Sequence, residues 1–524
     1  MPGPANDSPI EARVISAIGV VLAILCALLA GTLAGTGAIA LLLALLGSIA
    51  VLAVVLALHD RIWILIPGFW YLTSKVGLAS FTLPFSMRDL TVMLVFGVFV
   101  LLLALRVIRT HLKMGPLDWL VLLNCGYLGI VYMRNPVGTL ATGSNIVGGR
   151  PYFEAVIGLM AFVVLSRMTM QPALARLLPL FSCVPQVADS LLSTTQLYSL
   201  QSFSPPLDSS SQLNRFTAFS EGAKAGMLTL LSYFPPLSLL SPGRLFRFLC
   251  FLAVCAGFAF AGFRTDIMFM GFAFAMAAYF RNGIRNAAVV ILAIVVIGAG
   301  LVTLQNAGLA LPLTAQRALS FLPGKWDPEA RNDADDSAEW RYDMWNLVVS
   351  TDTYIHNKFL GDGFGFSEYE LEIMEEQQEG GSGFVGAPRQ EAFLIVGDFH
   401  SGPLSAIRYV GAIGLVLYLS LLIATAGYSW NIIRRSQGTD YFPLALLVGI
   451  PAIYEPFNYV FIFGEFDTGF PNTLFLCGML KLLSNSLSAH AASSASIRAV
   501  SPVCDYQSIL RRDLYLLLRN SKCT

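Results

Sequence analysis

Long apolar runs separated by short polar segments make up most of this chain. Runs such as 14–33 and 38–58 reach the roughly 20 residues that an α-helix needs to cross a bilayer. They are continuous and do not alternate between polar and apolar residues, which favours helices over the strands of a β-barrel. The pattern therefore predicts an all-α, polytopic bundle of about 12–14 transmembrane helices.

The individual spans follow from the apolar runs. We predict spans at 14–33, 38–58, 62–79, 90–106, 117–133, 152–167, 175–193, 223–240, 247–263, 266–280, 287–304, 403–427, 442–460 and 468–484. The run 62–79 contains Pro67 and Lys75, and a re-entrant segment is the alternative to a full span there. The run 175–193 is interrupted by two prolines. Few basic residues precede the first apolar run, and a second apolar run follows it closely. We therefore interpret the first run as an uncleaved helix and not as a signal peptide.

One long polar segment, residues 305–402, interrupts the apolar pattern. A loop of this length usually has a function of its own. It divides the chain into an N-terminal transmembrane region (1–304, about 11 spans), the loop itself, a C-terminal transmembrane region (403–484, about three spans) and a tail (485–524). The loop has seventeen Asp and Glu against six Lys and Arg, and the role of its acidic stretch 368–383 stays open.

Composition narrows the class of protein further. Hydrophobic residues make up 56% of the chain and charged residues 13%, which excludes an ordinary soluble domain. The net charge of zero argues against a nucleic-acid partner and leaves the lipid bilayer as the expected surroundings. The cysteines lie in apolar spans or the tail, and no metal-ligand spacing or nucleotide-binding glycine motif occurs. We therefore expect neither a metal nor a cofactor.

Basic residues in the short loops predict which side of the membrane each loop faces. They concentrate on alternate loops: Arg106, Arg109 and Lys113; Arg167 and Arg176; Arg244 and Arg247; Arg281 and Arg285; Arg434 and Arg435. By the positive-inside rule this side is cytoplasmic. Both termini are then cytoplasmic, and the loop 305–402 lies at the opposite, outer face.

A second group of arginines maps to the outer face, where the positive-inside rule makes them less expected. It contains Arg134, Arg150, Arg215, Arg264, Arg341, Arg389 and Arg408. Arg408 lies inside the span 403–427, where an ionisable group is costly unless it is paired or lines a polar cavity. Guanidinium groups bind phosphate in a bidentate manner, so the group predicts a phosphate or diphosphate site. Structural salt bridges with the acidic loop are the alternative for each arginine.

His400 is the sharpest candidate for a catalytic group. It precedes Ser401, a possible helix cap, and Pro403, which fits the first turn of a helix. The positive end of a helix dipole favours the neutral imidazole, which can accept a proton near pH 7. Arg408 would lie about 12 Å further along that helix, which suits an acceptor hydroxyl near the surface and an anion deeper. His356 is the second candidate for this catalytic group. The alternative for His400 is an ordinary polar role without catalysis.

Two local elements are predicted within the long loop. The segment SAEWRYDMWNLVVSTD has the pattern of a short amphipathic helix that starts at Ser337. The segment GDGFGF (361–366) predicts a turn, because paired glycines beside an aspartate adopt backbone shapes that other residues avoid. The loop is therefore expected to carry short helices and turns.

Four motifs follow one another along the chain: NRFTAF (214–219), GFRTD (262–266), EWRYDMW (339–345) and HSGPLSAIRYVGAIG (400–414). Together they resemble the O-antigen ligase and O-antigen polymerase superfamily, which includes some O-linking oligosaccharyltransferases. Members typically end a long periplasmic loop with a His-Asn pair and have a glycine further along the next helix. Gly411 and Gly414 fit that pattern, whereas Ser401 stands where Asn is usual. The resemblance covers residues 130–484.

The resemblance implies an enzyme of the bacterial inner membrane that transfers glycan from an undecaprenyl-diphosphate carrier, at the periplasmic face and without a metal. The implied acceptor is a hydroxyl of a sugar or of lipid A core. His400 is then the base or acceptor-orienting group, and Arg264 and Arg408 bind the diphosphate. The supporting candidates are Arg150, Arg215 and Arg341.

The type of transfer stays open between a ligase, a polymerase and protein O-glycosylation. Two alternatives belong to other classes of protein. One is a transporter or flippase of lipid-linked glycans, in which arginines line a route and no base is needed. The other is a non-catalytic assembly subunit that uses the acidic loop as a docking surface.

Overall fold

The computed structural model describes residues 58–72, 75–78, 81–106, 114–137, 148–201, 218–365, 394, 397 and 399–500. Outside these residues lie the predicted span 14–33, nearly all of 38–58, Arg215, Arg389, the acidic stretch 368–383 and the end of the tail. The described residues are predominantly helical, so the predicted all-α class is confirmed.

The helices follow one another with short connections over most of the chain. In order they are α1 (Leu65–Phe69), α2 (Met87–Ala104), α3 (Pro116–Arg134), α4 (Arg150–Leu165), α5 (Pro172–Gln201), α6 (Ala218–Tyr233), α7 (Pro236–Leu239), α8 (Leu245–Ala261), α9 (Arg264–Asn282), α10 (Ile284–Asn306), α11 (Leu313–Leu319), α12 (Pro328–Ser350), α13 (Gly402–Ser436), α14 (Phe442–Phe461) and α15 (Phe466–Val500). A 3-10 helix, His59–Ile64, precedes α1. A small antiparallel hairpin of β1 (Lys75–Leu78) and β2 (Phe81–Ser86) separates α1 from α2.

Five helices among the described residues are long and apolar enough to cross a bilayer: α2, α3, α10, α13 and α14. On α10 the side chains of Leu292, Val295 and Val296 are mostly exposed. Water is a poor solvent for such a surface, so an apolar environment is needed around it. The described residues thus form a multi-pass bundle of membrane type, and the total of about 12–14 spans stays a prediction.

The predicted span 62–79 is wrong as a single helix. Its residues form the end of the 3-10 helix, the short helix α1 and strand β1. Trp63, Ile66 and Trp70 are buried against neighbouring helices, so this apolar run fills the core of the bundle and does not cross the membrane by itself. The other predicted spans among the described residues coincide with helices, and 223–240 is divided between α6 and α7.

The helix ends fall into two groups, and the group beside the start of α9 is called the Arg264 end. Three contacts define it: Arg150 with Asp89 at 2.7 Å, the Phe466 N–H with Ser405 Oγ at 3.0 Å, and Arg317 with the Gly262 carbonyl at 3.0 Å. They connect the first turns of α2 and α4, the first turns of α13 and α15, and α11 with the α8–α9 connection.

The opposite group is called the Arg281 end. Its contacts are Tyr441 Oη with the Met170 carbonyl, Lys481 with Asp118, and Gln437 with the Phe280 carbonyl. Arg247, Arg281 and Arg434 also lie here, against residues at the ends of α6 and α9. Basic residues that were predicted to share one side therefore share one end, and which end faces the cytoplasm stays a prediction.

Two helices, α11 and α12, lie in the connection between α10 and α13. Helix α12 begins at Pro328, so the predicted start at Ser337 is wrong. The reason is that Asp327 caps the helix with its carboxylate and a proline fits the first turn that follows. The apolar face of α12 packs around Phe399 in a small separate core, which fixes the end of the loop at the start of α13.

Candidate functional site

Helix α13 is interrupted at Gly411, whose φ of 71° and ψ of −179° are not helical. Residues 358–363, which we call the strap, cross the helix at this break. Four backbone groups of the helix bond the strap: the carbonyls of Arg408 and Tyr409 accept at 2.9 and 3.0 Å, and the N–H groups of Ala412 and Ile413 donate at 2.9 and 3.4 Å. These are the groups that would pair with each other in an unbroken helix. The strap therefore replaces two rungs of the helix ladder.

Arg408 donates to the strap through its side chain as well. Its Nη1 lies 2.8 Å from Asp362 Oδ2, and its side chain is almost fully buried. The same carboxylate accepts the backbone N–H groups of His356 and Asn357 at 2.8 and 2.9 Å. The structure thus places Arg408, a predicted diphosphate binder, in a buried ion pair that holds the strap.

Helix α3 holds the strap from the other side. Arg134 and Tyr127 both donate to the Leu360 carbonyl, at 3.1 and 3.3 Å. Asn135 donates to the Asp362 carbonyl at 2.7 Å. Arg134, one of the arginines predicted at the outer face, is therefore a backbone clamp for the long loop.

The glycines of GDGFGF are required by this crossing. Gly361 and Gly363 have φ of 80° and 76°, which confirms the predicted turn. A Cβ on Gly361 would lie 2.5 Å from the Gly411 nitrogen, closer than any real side chain can approach. The two backbones can meet only because both positions are glycine.

Lys358, at the start of the strap, ties it to the end of α12. Its ammonium donates to the carbonyls of Val349 and Thr351 at 3.0 and 2.9 Å and to Asp352 Oδ1 at 2.8 Å. The hydrogen bond from Lys358, followed by its charge, lowers the pKa of the Asp352 carboxyl below its ordinary value. A cation at a helix C-terminus is also favoured by the helix dipole.

His400 adopts a left-handed backbone conformation with φ of 49°, which is uncommon for a residue with a Cβ. Such a conformation costs about 1–2 kcal/mol and is typical of functional sites. The preceding carbonyl, of buried Phe399, accepts a hydrogen bond from Trp345 Nε1 at 2.7 Å. The imidazole lies between the rings of Trp340 and Phe463, at centroid distances of 5.7 and 5.6 Å. The neighbouring residues therefore fix both the backbone and the ring of His400.

Helix α13 starts directly after His400, as predicted. Pro403 lies in the first turn and Ser401 occupies the N-cap position, but the serine side chain makes no capping hydrogen bond. Gly402 packs so closely on α14 that a Cβ would lie 2.3 Å from the Tyr459 carbonyl. Close packing against α14, and not a serine cap, fixes this helix start.

Arg264 is the first residue of α9 and follows the left-handed Gly262. Its Nη2 donates to Ser320 Oγ at 3.0 Å and lies 4.0 Å from Asp335 Oδ1. The guanidinium therefore faces the loop helices α11 and α12, as a residue at the base of the long loop should.

Arg150 belongs to a separate cluster of four charges at the starts of α2 and α4. It pairs with Asp89 at 2.7 Å and with Glu154 at 2.8 Å, and Arg88 pairs with the same two carboxylates at 3.3 and 3.2 Å. Sequence reasoning found Arg150 but not Arg88, which lies in the capping segment of α2. The charges balance within the cluster.

The remaining predicted arginines are placed differently. Arg341 lies on α12, four residues before the Trp345 that holds the loop end, and is partly buried. Arg215 lies outside the described residues. The structure thus brings Arg264 to the loop helices and places Arg150 and Arg408 in separate ion pairs, so the described arginines are distributed around the Arg264 end.

The interior of the bundle contains a cavity of about 300 Å³, which we call the core cavity. Its polar lining includes Glu221, Lys224, Asp266, Tyr454, Glu455, Asn458, Asn472 and Thr473. Lys224 Nζ lies 2.9 Å from Glu221 and 3.3 Å from Asp266. Charged side chains in an apolar bundle mark a functional site by default, because burying them is costly.

Two atoms of the core cavity have unused hydrogen-bonding capacity. Asp266 Oδ2 and Tyr454 Oη are buried and have no hydrogen-bond partner among the described residues. Leaving such an atom unsatisfied costs about 1–3 kcal/mol, so a ligand or water that bonds it is favoured.

The lining of the core cavity includes residues that adjoin Arg264 in sequence or contact His400 in space. Thr265 and Asp266, which follow Arg264 in the first turn of α9, line it directly. Phe463, which also lines it, contacts the His400 ring. A candidate base and a candidate anion binder are thus placed beside one polar space at the Arg264 end.

Sequence reasoning missed Lys224 and Glu455 as site residues. The signal was present, since both are charged residues within predicted spans. Among the described residues, no group of three or more His, Cys, Asp or Glu is arranged to hold a metal ion.

The fold and the site define a class: a multi-pass helical protein of membrane type with charged residues around a cavity in its core, and with the described part of its long loop packed at one end. No family model matches this chain, and no curated protein matches it.

Proposed function

We propose that this protein is a membrane glycosyltransferase that moves a glycan from a polyprenyl-diphosphate carrier to a hydroxyl acceptor, at the periplasmic face of a bacterial inner membrane. One observation carries the proposal: a single polar cavity inside an apolar bundle is lined by Phe463, which contacts the His400 ring, and by Thr265 and Asp266, which follow Arg264. A base and a cation beside one cavity suit the attack of a hydroxyl on a carbon whose leaving group is an anion. The motifs that resemble O-antigen ligases and polymerases favour the same reaction.

The proposed reaction needs one proton transfer and one charge to be neutralised. The acceptor oxygen bonds the anomeric carbon, the bond from that carbon to the diphosphate oxygen breaks, and its electron pair leaves with the diphosphate. His400 accepts the hydroxyl proton. Arginine stabilises the negative charge that develops on the leaving group, so no metal is needed.

Arg264 is proposed as the first group to meet the diphosphate. Its side chain is 32% exposed, against 3% for Arg408. We propose Arg408 as the second binder, acting from inside α13, where it also holds Asp362 of the strap. The supporting candidates stay Arg150, Arg215 and Arg341.

A transporter of lipid-linked glycans is the second candidate, because α13 is interrupted and charged groups lie inside the bundle. In transporters, the backbone groups freed by a broken helix coordinate the substrate or ion. In α13 the four groups beside Gly411 bond the strap instead. This difference favours the enzyme.

Transfer in detergent solution separates the two candidates. Purified protein is mixed with a polyprenyl-diphosphate-linked glycan extracted from the membranes of the source cell and with the matching acceptor. The enzyme is expected to form glycosylated product and free polyprenyl diphosphate without a membrane or a second compartment. A protein that binds the donor and forms no product in detergent, yet moves it across vesicle membranes, would be a transporter.

A further inference from the structure

The core cavity has a charge that is wrong for a diphosphate. Glu221, Asp266 and Glu455 bring three carboxyl groups, and Lys224 brings one ammonium. Glu221 and Asp266 both pair with that ammonium, at 2.9 and 3.3 Å, so it is already engaged and not available to an anionic ligand. The diphosphate of the donor therefore belongs with the arginines outside the cavity, and the cavity suits a neutral ligand.

The unused atoms of the core cavity specify hydroxyl groups. Asp266 Oδ2 can only accept a hydrogen bond when ionised, and Tyr454 Oη can donate one and accept one. Both side chains are at least nine-tenths buried, 1% and 6% exposed, and both line the cavity. A ligand with several hydroxyl groups satisfies both atoms, because each hydroxyl can donate and accept.

The size and the walls of the core cavity restrict the ligand further. Its volume of about 300 Å³ is at the lower limit for small-molecule sites, so it suits one small unit and not a long chain. Aromatic rings complete the walls, and those of Phe269 and Tyr454 lie 5.3 Å apart. Apolar rings with a few convergent polar groups are the usual lining of a ligand pocket.

We propose that the core cavity binds one neutral sugar residue, and that Asp266 and Tyr454 recognise its hydroxyl groups. Lys224 is held beside Asp266 and supplies a donor for a further hydroxyl. This inference rests on the proposed function, since it assigns to the cavity a sugar of the donor or of the acceptor. It places the sugar inside the bundle and the diphosphate at the arginines.

Binding of methyl glycosides tests the proposal without requiring transfer. The full-length protein in detergent is titrated with the methyl glycosides of glucose, galactose, mannose and N-acetylglucosamine, with saturation-transfer NMR as the readout. We expect at least one glycoside to bind the wild type. Asp266→Asn and Tyr454→Phe should each weaken binding about tenfold, the effect of one lost hydrogen bond.

Matched controls come from α12, where Tyr342 and Asp343 are exposed. Tyr342→Phe and Asp343→Asn should leave glycoside binding unchanged. The proposal is overturned if the wild type binds none of the glycosides, if the cavity variants bind like the controls, or if inorganic pyrophosphate competes for the cavity.

A parallel transfer assay separates this proposal from the proposed function. If the glycoside binds in the cavity while the wild type forms no product, the transferase assignment fails and the sugar site stands. If product forms and the cavity variants bind and transfer like the wild type, the sugar site fails and the transferase stands. A bound glycoside that raises the apparent KM for the acceptor identifies an acceptor sugar, and one that raises it for the donor identifies a donor sugar.

Discussion

The strap crossing and the core cavity both contain an ion pair with a buried carboxylate at the Arg264 end, yet they differ in what surrounds the pair. At the crossing, both oxygens of Asp362 accept hydrogen bonds, and the interrupted helix is completed by the strap. In the core cavity, Lys224 pairs with Asp266 at 3.3 Å, while Asp266 Oδ2 and Tyr454 Oη have no hydrogen-bond partner among the described residues. The carboxylate at the crossing is thus fully engaged in holding the strap, whereas the carboxylate of the core cavity keeps one oxygen for a ligand.

The largest loss of stability is expected from Asp362→Ala at the strap crossing. The substitution leaves the Arg408 guanidinium buried without its carboxylate and removes the acceptor of two backbone N–H groups. Breaking a buried ion pair in this way costs about 3–5 kcal/mol. The free energy of unfolding in detergent measures the loss, with exposed Asp343→Ala as the control. A variant as stable as the control would show that the strap does not hold α13.

A somewhat smaller effect is expected from Gly411→Ala. A residue with a Cβ adopts the backbone conformation of Gly411 only at a cost of about 1–3 kcal/mol. The new Cβ would also lie 2.3 Å from the Phe359 carbonyl oxygen. Gly427→Ala is the matched control on the same helix, because nothing lies within 4 Å of its Cβ position. Thermal unfolding should distinguish the two. Equal midpoints would mean that the break in α13 is not required.

Removing a tyrosine hydroxyl compares the core cavity with a site where the hydroxyl has a hydrogen-bond partner. Tyr441 Oη donates to the Met170 carbonyl at 2.9 Å, so Tyr441→Phe should destabilise the protein by about 1 kcal/mol. Tyr454→Phe removes a hydroxyl with no partner among the described residues and should change stability by less than about 0.5 kcal/mol. A large loss of stability in Tyr454→Phe would mean that its hydroxyl is structural and would contradict the comparison.

The smallest effect is expected at the surface of the loop. Lys358 lowers the pKa of Asp352, so the ionised carboxylate stabilises the fold, and this stabilisation is lost as the pH falls through the lowered folded pKa. Asp352→Asn should remove that acid dependence and leave neutral-pH stability almost unchanged, because exposed ion pairs contribute little. Unfolding midpoints at neutral and acid pH provide the test. An unchanged acid dependence would rule the pair out as its source.

The apolar runs predicted most helices because each run needs an apolar environment along its whole length. They failed at 62–79, where a short apolar run serves the core of the bundle. The start of α12 was also missed, since the cap Asp327 lies in a polar region without an apolar pattern. The GDGFGF turn was predictable because left-handed glycines are a local requirement.

The partners of the site residues could not be predicted. Arg408 and Asp362 are 46 residues apart, and their pairing depends on how the strap crosses α13. The core cavity is likewise built by helices that are distant in sequence. Its charged residues were visible in the predicted spans, but only the packing shows that Lys224 and Asp266 meet beside a cavity.

The most direct test of the central claim is the transfer rate of His400→Ala in detergent, with the lipid-linked donor and its acceptor. Removing the proposed base should lower the rate by at least about 10²-fold while the unfolding midpoint stays unchanged. His356→Ala, an exposed histidine beside the strap, is the control and should keep near wild-type transfer. Full transfer by folded His400→Ala would contradict the account.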